Sequence, residues 1–498
     1  MSRKSVTAYQ QLSDHFQKIS HFEHFAALGD WDQATMMPSA GSDNRAAAMA
    51  ELARHIHELK NAPELTDWFA EAQQQLTQLS KAQQANLREM LWQWHQANCV
   101  PAEIVQAKTA AAYRCEHQWC QQRPANDWQG FKHNLQPLLA LVKEEAQSRA
   151  AASNVTPYDA LLARFEPGMT AARLTQIFDH LSQWLPTLIQ QICERQPTLK
   201  PVDTNIRYPL SRQQDLGREV MQFLGFDFQQ GRLDISAHPF CGGVPGDVRL
   251  TTRYDEHSFL PALLGIIHET GHASYEQGLP VAWRGQPAGL ARSMGIHESQ
   301  SLFFEMQLAG SAAFIERLYP MLKRHLSCRD SAAELHQQIL RVQPGYIRVD
   351  ADEVTYPCHI MLRFAAEQAL LNGSLDLADL PDFWDQQMQQ YLGISTKNNY
   401  RDGCMQDIHW AVGEFGYFPS YTLGAMYAAQ FRFALEKQLG SLDVLLENDR
   451  LPEVLSWLQQ HIWQQGSLLD TDTLVQQATG EPLNPDYLHR HLRQRYLS

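Results

Sequence analysis

Apolar residues recur every three or four positions along most of this chain, and that spacing confines it to a largely helical fold. Tyr9, Leu12, Phe16 and Ile19 form one stripe; Leu52, Ile56 and Leu59 form another within 46–59. Residues 71–123 contain a single proline, Pro101, and read as two long helices. The exception is Arg232–Arg253. There Leu233, Ile235 and Ala237, and then Val248, Leu250 and Thr252, alternate with polar residues. That period predicts two short strands joined by the turn-rich Cys241–Gly246, a small β-ribbon in a mainly α protein. A ribbon with a free edge can add an extended peptide as a further strand.

At 498 residues the chain is long enough for a large core, and its net charge of −14 argues against a nucleic-acid partner, which would need a basic patch. No apolar run reaches the ~18 residues a membrane helix requires, and MSRKSVTAYQQLSDHF lacks the apolar core of a signal peptide. Eight cysteines without a CxxC pair fit reduced thiols, so a cytoplasmic location is expected. Cys115-x-His117-xx-Cys120 does not have the spacing of a zinc site and reads as a helical face with incidental sulfur.

The strongest chemical signal is His268-Glu269-Thr270-Gly271-His272, an HExxH sequence. A helix starting near Ser258 is expected around it, with Pro261 in its first turn, an apolar face of Leu260, Leu263, Leu264 and Ile267, and Gly278 just past its end. Two imidazoles four apart project from one face and can share a divalent ion. Glu269 between them is placed to take a proton from water. Gly271 costs the helix roughly 1 kcal/mol relative to Ala, which points to a close approach by another segment. The third ligand is not local: Glu276 lies about 12 Å along the axis from His268. Tyr275 and Gly278 stand where the HExxHxxGxxH pattern needs Gly and His. A second helix opening at Ser293 offers Glu298 and Glu305, and spacing does not choose between them.

Six short motifs then occur in order: His238-Pro239-Phe240, Asp247-x-Arg249-x-Thr251, the HExxH, His297-Glu298-Ser299-Gln300, Ile347-Arg348-x-x-Ala351-Asp352 and Gly403-x-x-Gln406-Asp407-x-His409-Trp410. With Trp31-Asp32-Gln33, Met37-Pro38 and the closing 480–487 segment, the chain resembles the Taq-type thermostable metallocarboxypeptidases over nearly its whole length. The resemblance implies one large helical, two-lobed body with a deep cleft, built like the angiotensin-converting and neurolysin-like peptidases. On this scheme residues 1–498 form a single metallopeptidase domain. Residues 1–150 make a helical lid or N-terminal lobe, 230–254 the ribbon at the cleft, 255–430 the catalytic core and 431–498 the C-terminal helices. It implies one Zn²⁺ per chain on His268, His272 and Glu298, with Glu269 as general base; affinity order leaves Co²⁺ or Mn²⁺ as substitutes. It also implies release of single residues from peptides with a free C-terminus, and a homodimer.

A free carboxylate is best held by a guanidinium fork. Arg348 is the expected anchor, against a structural ion pair with Asp350 or Asp352. Arg249 is the second candidate, against a pair with Asp247 two residues away on the same strand face. His409 and Tyr421 are expected to donate to the developing oxyanion, with Tyr417 as the alternative tyrosine and core packing as the competing explanation for both. His238 is a candidate near the substrate, or a turn residue before Pro239. His297 is expected to orient Glu298 or a neighbouring histidine. The rival functions are a zinc oligopeptidase or dipeptidyl carboxypeptidase on the same scaffold, and a metal-free scaffold or chaperone; no GxMxN-type stretch supports an aminopeptidase.

Overall fold

The computed structural model describes residues 7–199, 206–237 and 239–498. The chain is mainly α, with one small sheet. The first amphipathic stripe lies in Ala8–Thr35, with Tyr9, Leu12, Phe16 and Ile19 buried. They meet Leu59, Leu65, Phe69, Leu87 and Met90 in an apolar cluster separate from the main core. Pro101 separates the helices Lys81–Asn98 and Ala102–Gln122, as its missing N–H and fixed φ dictate. No helix among the described residues is long and apolar enough to cross a membrane.

The expected two-stranded ribbon is a three-stranded mixed sheet: β1 (Gly231–Ile235), β2 (Cys241–Val244) and β3 (Asp247–Thr252), in the order β1-β3-β2. The two alternating runs are β1 and β3, which pair in parallel. The segment expected to be only a connection is itself a strand, antiparallel to β3 with Cys241 opposite Leu250 and Val244 opposite Asp247. Its Cys-Gly-Gly-Val composition carries no alternation, so periodicity could not reveal it. Pro245 and Gly246, the latter at φ +95°, make the tight turn between the two strands. Leu233, Val248 and Leu250 pack on Ile266 and Ala273 of the following helix.

That helix, which carries HExxH, runs Leu260–Gly278. It starts two residues later than expected, after Phe259 without a side-chain cap, and Gly278 is its last residue instead of the stop beyond it. A Cβ on Gly278 would stand 2.6 Å from the Trp463 ring, so close packing explains this glycine. The second helix, Met294–Leu302, is capped as expected, Ser293 Oγ accepting from Ile296 N at 3.2 Å. It continues as a π-helical turn over Phe303–Ala309. A third helix, Pro419–Leu439, is buried along most of its length and packs on the second.

Candidate active site

Two glycines set how closely these helices approach. A Cβ on Gly271 would run into the Gln300 carbonyl, the close contact its helix cost implied. A Cβ on Gly424 of Pro419–Leu439 would stand 2.6 Å from Glu298 Cγ, so the glycine leaves room for that side chain. With those gaps closed, His268, His272 and Glu298 each offer one ligand atom, all within 4.8 Å of one another. His272 Nε2 lies 3.5 Å from Glu298 Oε2. Two imidazoles and one carboxylate match the donor set that holds Zn²⁺ with an open fourth position.

Glu305 does not join the trio. Its Oε2 lies 2.7 Å from His268 Nδ1, which occupies that nitrogen and leaves Nε2 as the one available to a cation. The other imidazole is held likewise: His272 Nδ1 lies 3.1 Å from the His297 carbonyl and 2.6 Å from His297 Nδ1. His297 Nε2 in turn meets Glu276 Oε1 at 2.9 Å. Glu276, too far along its helix to bind the same ion, thus steadies a histidine beside it. Helical spacing alone placed Glu298 and Glu305 equally; the crossing of the two helices separates them. Glu305→Ala is expected to weaken metal binding by about 10–100-fold while leaving the donor trio intact. Titration against a chelator checks this, and unchanged affinity would remove Glu305 from that role.

The electrostatics favour a cation. Burial works against protonating His268, yet the Glu305 bond and the nearby Glu298 and Glu269 carboxylates push it up to about 10. Burial pushes Glu269 up to about 7, against the pull of His268. Burial pushes His272 down to about 4, Glu298 opposing and His297 and His268 adding to the effect. Three carboxylates around two imidazoles are a site short of positive charge.

His409, Tyr417 and Tyr421 form a second group. Tyr421 Oη lies 3.3 Å from His409 Nε2, and the Tyr417 and Tyr421 rings are 5.3 Å apart. Burial raises Tyr421 to about 12 and also raises Tyr417, with the Glu298 carboxylate adding to both; Tyr421 lies one turn before Gly424, the glycine packed on Glu298. Burial lowers His409 to about 4, leaving a neutral ring whose buried Nδ1 has no partner.

Arg348 reaches the same place, its Cζ 4.7 Å from the Tyr421 ring centre. Its expected partners were Asp350 or Asp352; the observed one is Asp407, with Nε 2.8 Å from Oδ1. Asp352 instead accepts from Val354 N and Thr355 N at 3.0 Å each, a local turn. Arg348 Nη1 also donates to Tyr356 Oη at 2.7 Å. Gln406 joins the two segments: its Oε1 accepts from Arg348 N at 2.7 Å and its Nε2 donates to the Tyr346 carbonyl at 2.9 Å. Tyr356 and Asp407 had no assigned role in the sequence. Asp407 stood inside a quoted motif, whereas nothing local marked Tyr356.

Arg249 is spent on Asp247, Nε and Nη2 donating at 2.8 and 2.7 Å. Thr251 of the same motif accepts from Phe240 N at 3.0 Å and holds the chain leading into β2. His238 lies outside the described residues. Cys115 is buried while His117 and Cys120 are exposed, and the three form no metal-sized group.

Comparison with known proteins fits this geometry. The family profile of carboxypeptidase Taq (M32) metallopeptidases matches residues 11–496. Thermostable carboxypeptidase 1 of Thermus thermophilus is 39 % identical over 505 residues, covering 98 % of each chain. Carboxypeptidase 1 of Bacillus subtilis is 34 % identical, again with 98 % of both covered. The structure of Trypanosoma cruzi metallocarboxypeptidase 1 superposes with a TM-score of 0.96 at 44 % identity, over 99 % of each chain.

Proposed function

This chain belongs to the carboxypeptidase Taq (M32) family of metallopeptidases, and from that premise we propose how its residues divide the work of a carboxypeptidase. The substrate is a peptide with a free C-terminus, and the product is its last residue. The observation that carries the reading is the placement of Tyr421: it stands one turn before Gly424, where its helix packs on Glu298, and the Arg348 guanidinium lies 4.7 Å from its ring centre.

His268, His272 and Glu298 are the inferred ligands of one divalent cation, for which Zn²⁺ suits the two-imidazole, one-carboxylate set and Co²⁺ or Mn²⁺ would substitute. Such an ion, when bound, polarises a carbonyl and makes water more acidic. Glu269 then accepts the proton of the attacking water and delivers it to the departing amine. Its buried position keeps competing solvent away. Tyr421 donates to the developing oxyanion, and His409 Nε2 orients its hydroxyl. Arg348 receives the terminal carboxylate, held in aim by Asp407 and Tyr356. The substrate backbone is inferred to add along the edge strand β2. Burial raises the thiol of Cys241 on that strand, and Glu269 and Glu276 raise it further, which supports setting the strand beside the HExxH helix. The cleft is inferred to lie between the N-terminal helices and this core. Free thiols at all eight cysteines fit a reducing, cytoplasmic setting, and a homodimer follows from the family likeness.

Arg348→Ala is the direct test of the anchor. On a blocked peptide offered as free acid, KM is expected to rise by about tenfold to a hundredfold, the loss of one charge-assisted pair. The C-terminal amide of the same peptide should bind no worse than before. Equal losses on both would reject the anchor, and dipeptides as first products would move the reaction to the dipeptidyl class.

A further inference from the structure

Asp407 does not serve Arg348 alone. Its Oδ1 accepts from Arg348 Nε, while its Oδ2 accepts from Arg363 Nε at 2.7 Å. The Arg363 side chain is completely buried, lies over the Trp384 ring at 4.7 Å and donates through Nη1 to the His359 carbonyl at 2.7 Å. Burial alone would raise the Asp407 carboxyl; the two guanidiniums hold it well below the usual carboxylate range. Among the described residues no second carboxylate bonds to either guanidinium. Burial lowers His359 to about 3 and His409 to about 4, so both rings are neutral. Glu367, one turn beyond Arg363, has its oxygens taken by Tyr158 Oη, Trp410 Nε1 and Gly416 N, each at 3.0 Å, and bonds to neither guanidinium.

Two guanidiniums therefore share one carboxylate in a buried place, one cation more than the carboxylates bonded to them. A simple structural ion pair would not be built this way, because an uncompensated buried charge is costly. A substrate carboxylate would complete the set. We propose that Arg363 is a positioning residue for recognition of the substrate's terminal carboxylate: it takes up the charge of Asp407, so that Arg348 keeps its own for the substrate. The proposal rests on the reading of Arg348 as the anchor. Without Arg363, Asp407 would neutralise Arg348 and the site would lose its preference for an anion.

The test compares the KM of a blocked tripeptide as free acid with the inhibition constant of its C-terminal amide, in the wild type and in variants retaining metal and a cooperative melt. Arg363→Met is expected to reduce that discrimination at least about tenfold, Arg363→Lys to preserve most of it. The decisive variant is R363M/D407N. There the Asn carbonyl still accepts from Arg348 Nε and the local charge returns to +1, so discrimination is expected to recover to within a few-fold of wild type. If Arg363→Met does not fold, Arg363→Lys read against R363M/D407N still answers, since the first keeps the second cation and the other restores the charge without it. Discrimination unchanged in Arg363→Met, or lost in R363M/D407N, overturns the proposal. Arg348→Ala separates the two readings: if it leaves discrimination intact, the anchor itself is wrong. If Arg348→Ala abolishes discrimination while Arg363→Met does not touch it, only the role of Arg363 falls.

Discussion

Glu269→Gln is expected to lower kcat by about 10²–10⁴-fold, the range a positioned proton acceptor supplies, while the protein keeps one divalent ion per chain. The reason for separating the two effects is geometric. Glu269 sits between His268 and His272 on the helix but is not in the donor trio, so an amide at 269 removes a base without removing a ligand. The substitution is isosteric in a position only 8 % exposed, and the lost negative charge is one of three around the imidazole pair. Metal content after dialysis and single-turnover rates on a free-acid peptide are the two measurements. Normal turnover would end the assignment of Glu269 as base, and an ion lost along with activity would show that its charge, not its proton transfer, is what matters.

The second large effect is expected at Glu298. Removing it by substitution with Ala should weaken metal binding by more than the 10–100-fold assigned to an outer partner such as Glu305, because a direct donor is gone. Glu298 also fills the space left by Gly424, so Ala opens a gap between the second and third helices and a small loss of thermal stability should accompany the loss of metal. Activity should return in part with excess Zn²⁺, since His268 and His272 remain. Chelator competition on Glu298→Ala and Glu305→Ala side by side separates ligand from supporting residue. Should the order of affinities be reversed, the two carboxylates would have to exchange roles.

Much of this was written locally in the chain. The HExxH helix, its two imidazoles on one face, the close approach at Gly271 and the cap at Ser293 follow from spacing within one or two turns. The pairing of Asp247 with Arg249 was legible too, as neighbours two apart on a strand. By contrast β2 was hidden, because Cys-Gly-Gly-Val has no alternation and becomes a strand only when β3 lies beside it. The partner of Arg348 was sought among Asp350 and Asp352, which are near in sequence, and found 59 residues away at Asp407.

The sequence by itself determined the helical class of the fold, the chemistry available to it and the family to which it belongs, because periods of two and 3.6 and the order of short motifs are properties of neighbouring residues. Helical spacing left two glutamates open, the motifs implied Glu298, and the tertiary structure stands it with the imidazoles; only that structure decided which carboxylate aims Arg348 and that a second, fully buried arginine competes for it. The physical reason is that hydrogen bonds and charges act over a few ångströms of space, and the segments that bring those groups within reach are joined by the packing of whole helices, which no local spacing records.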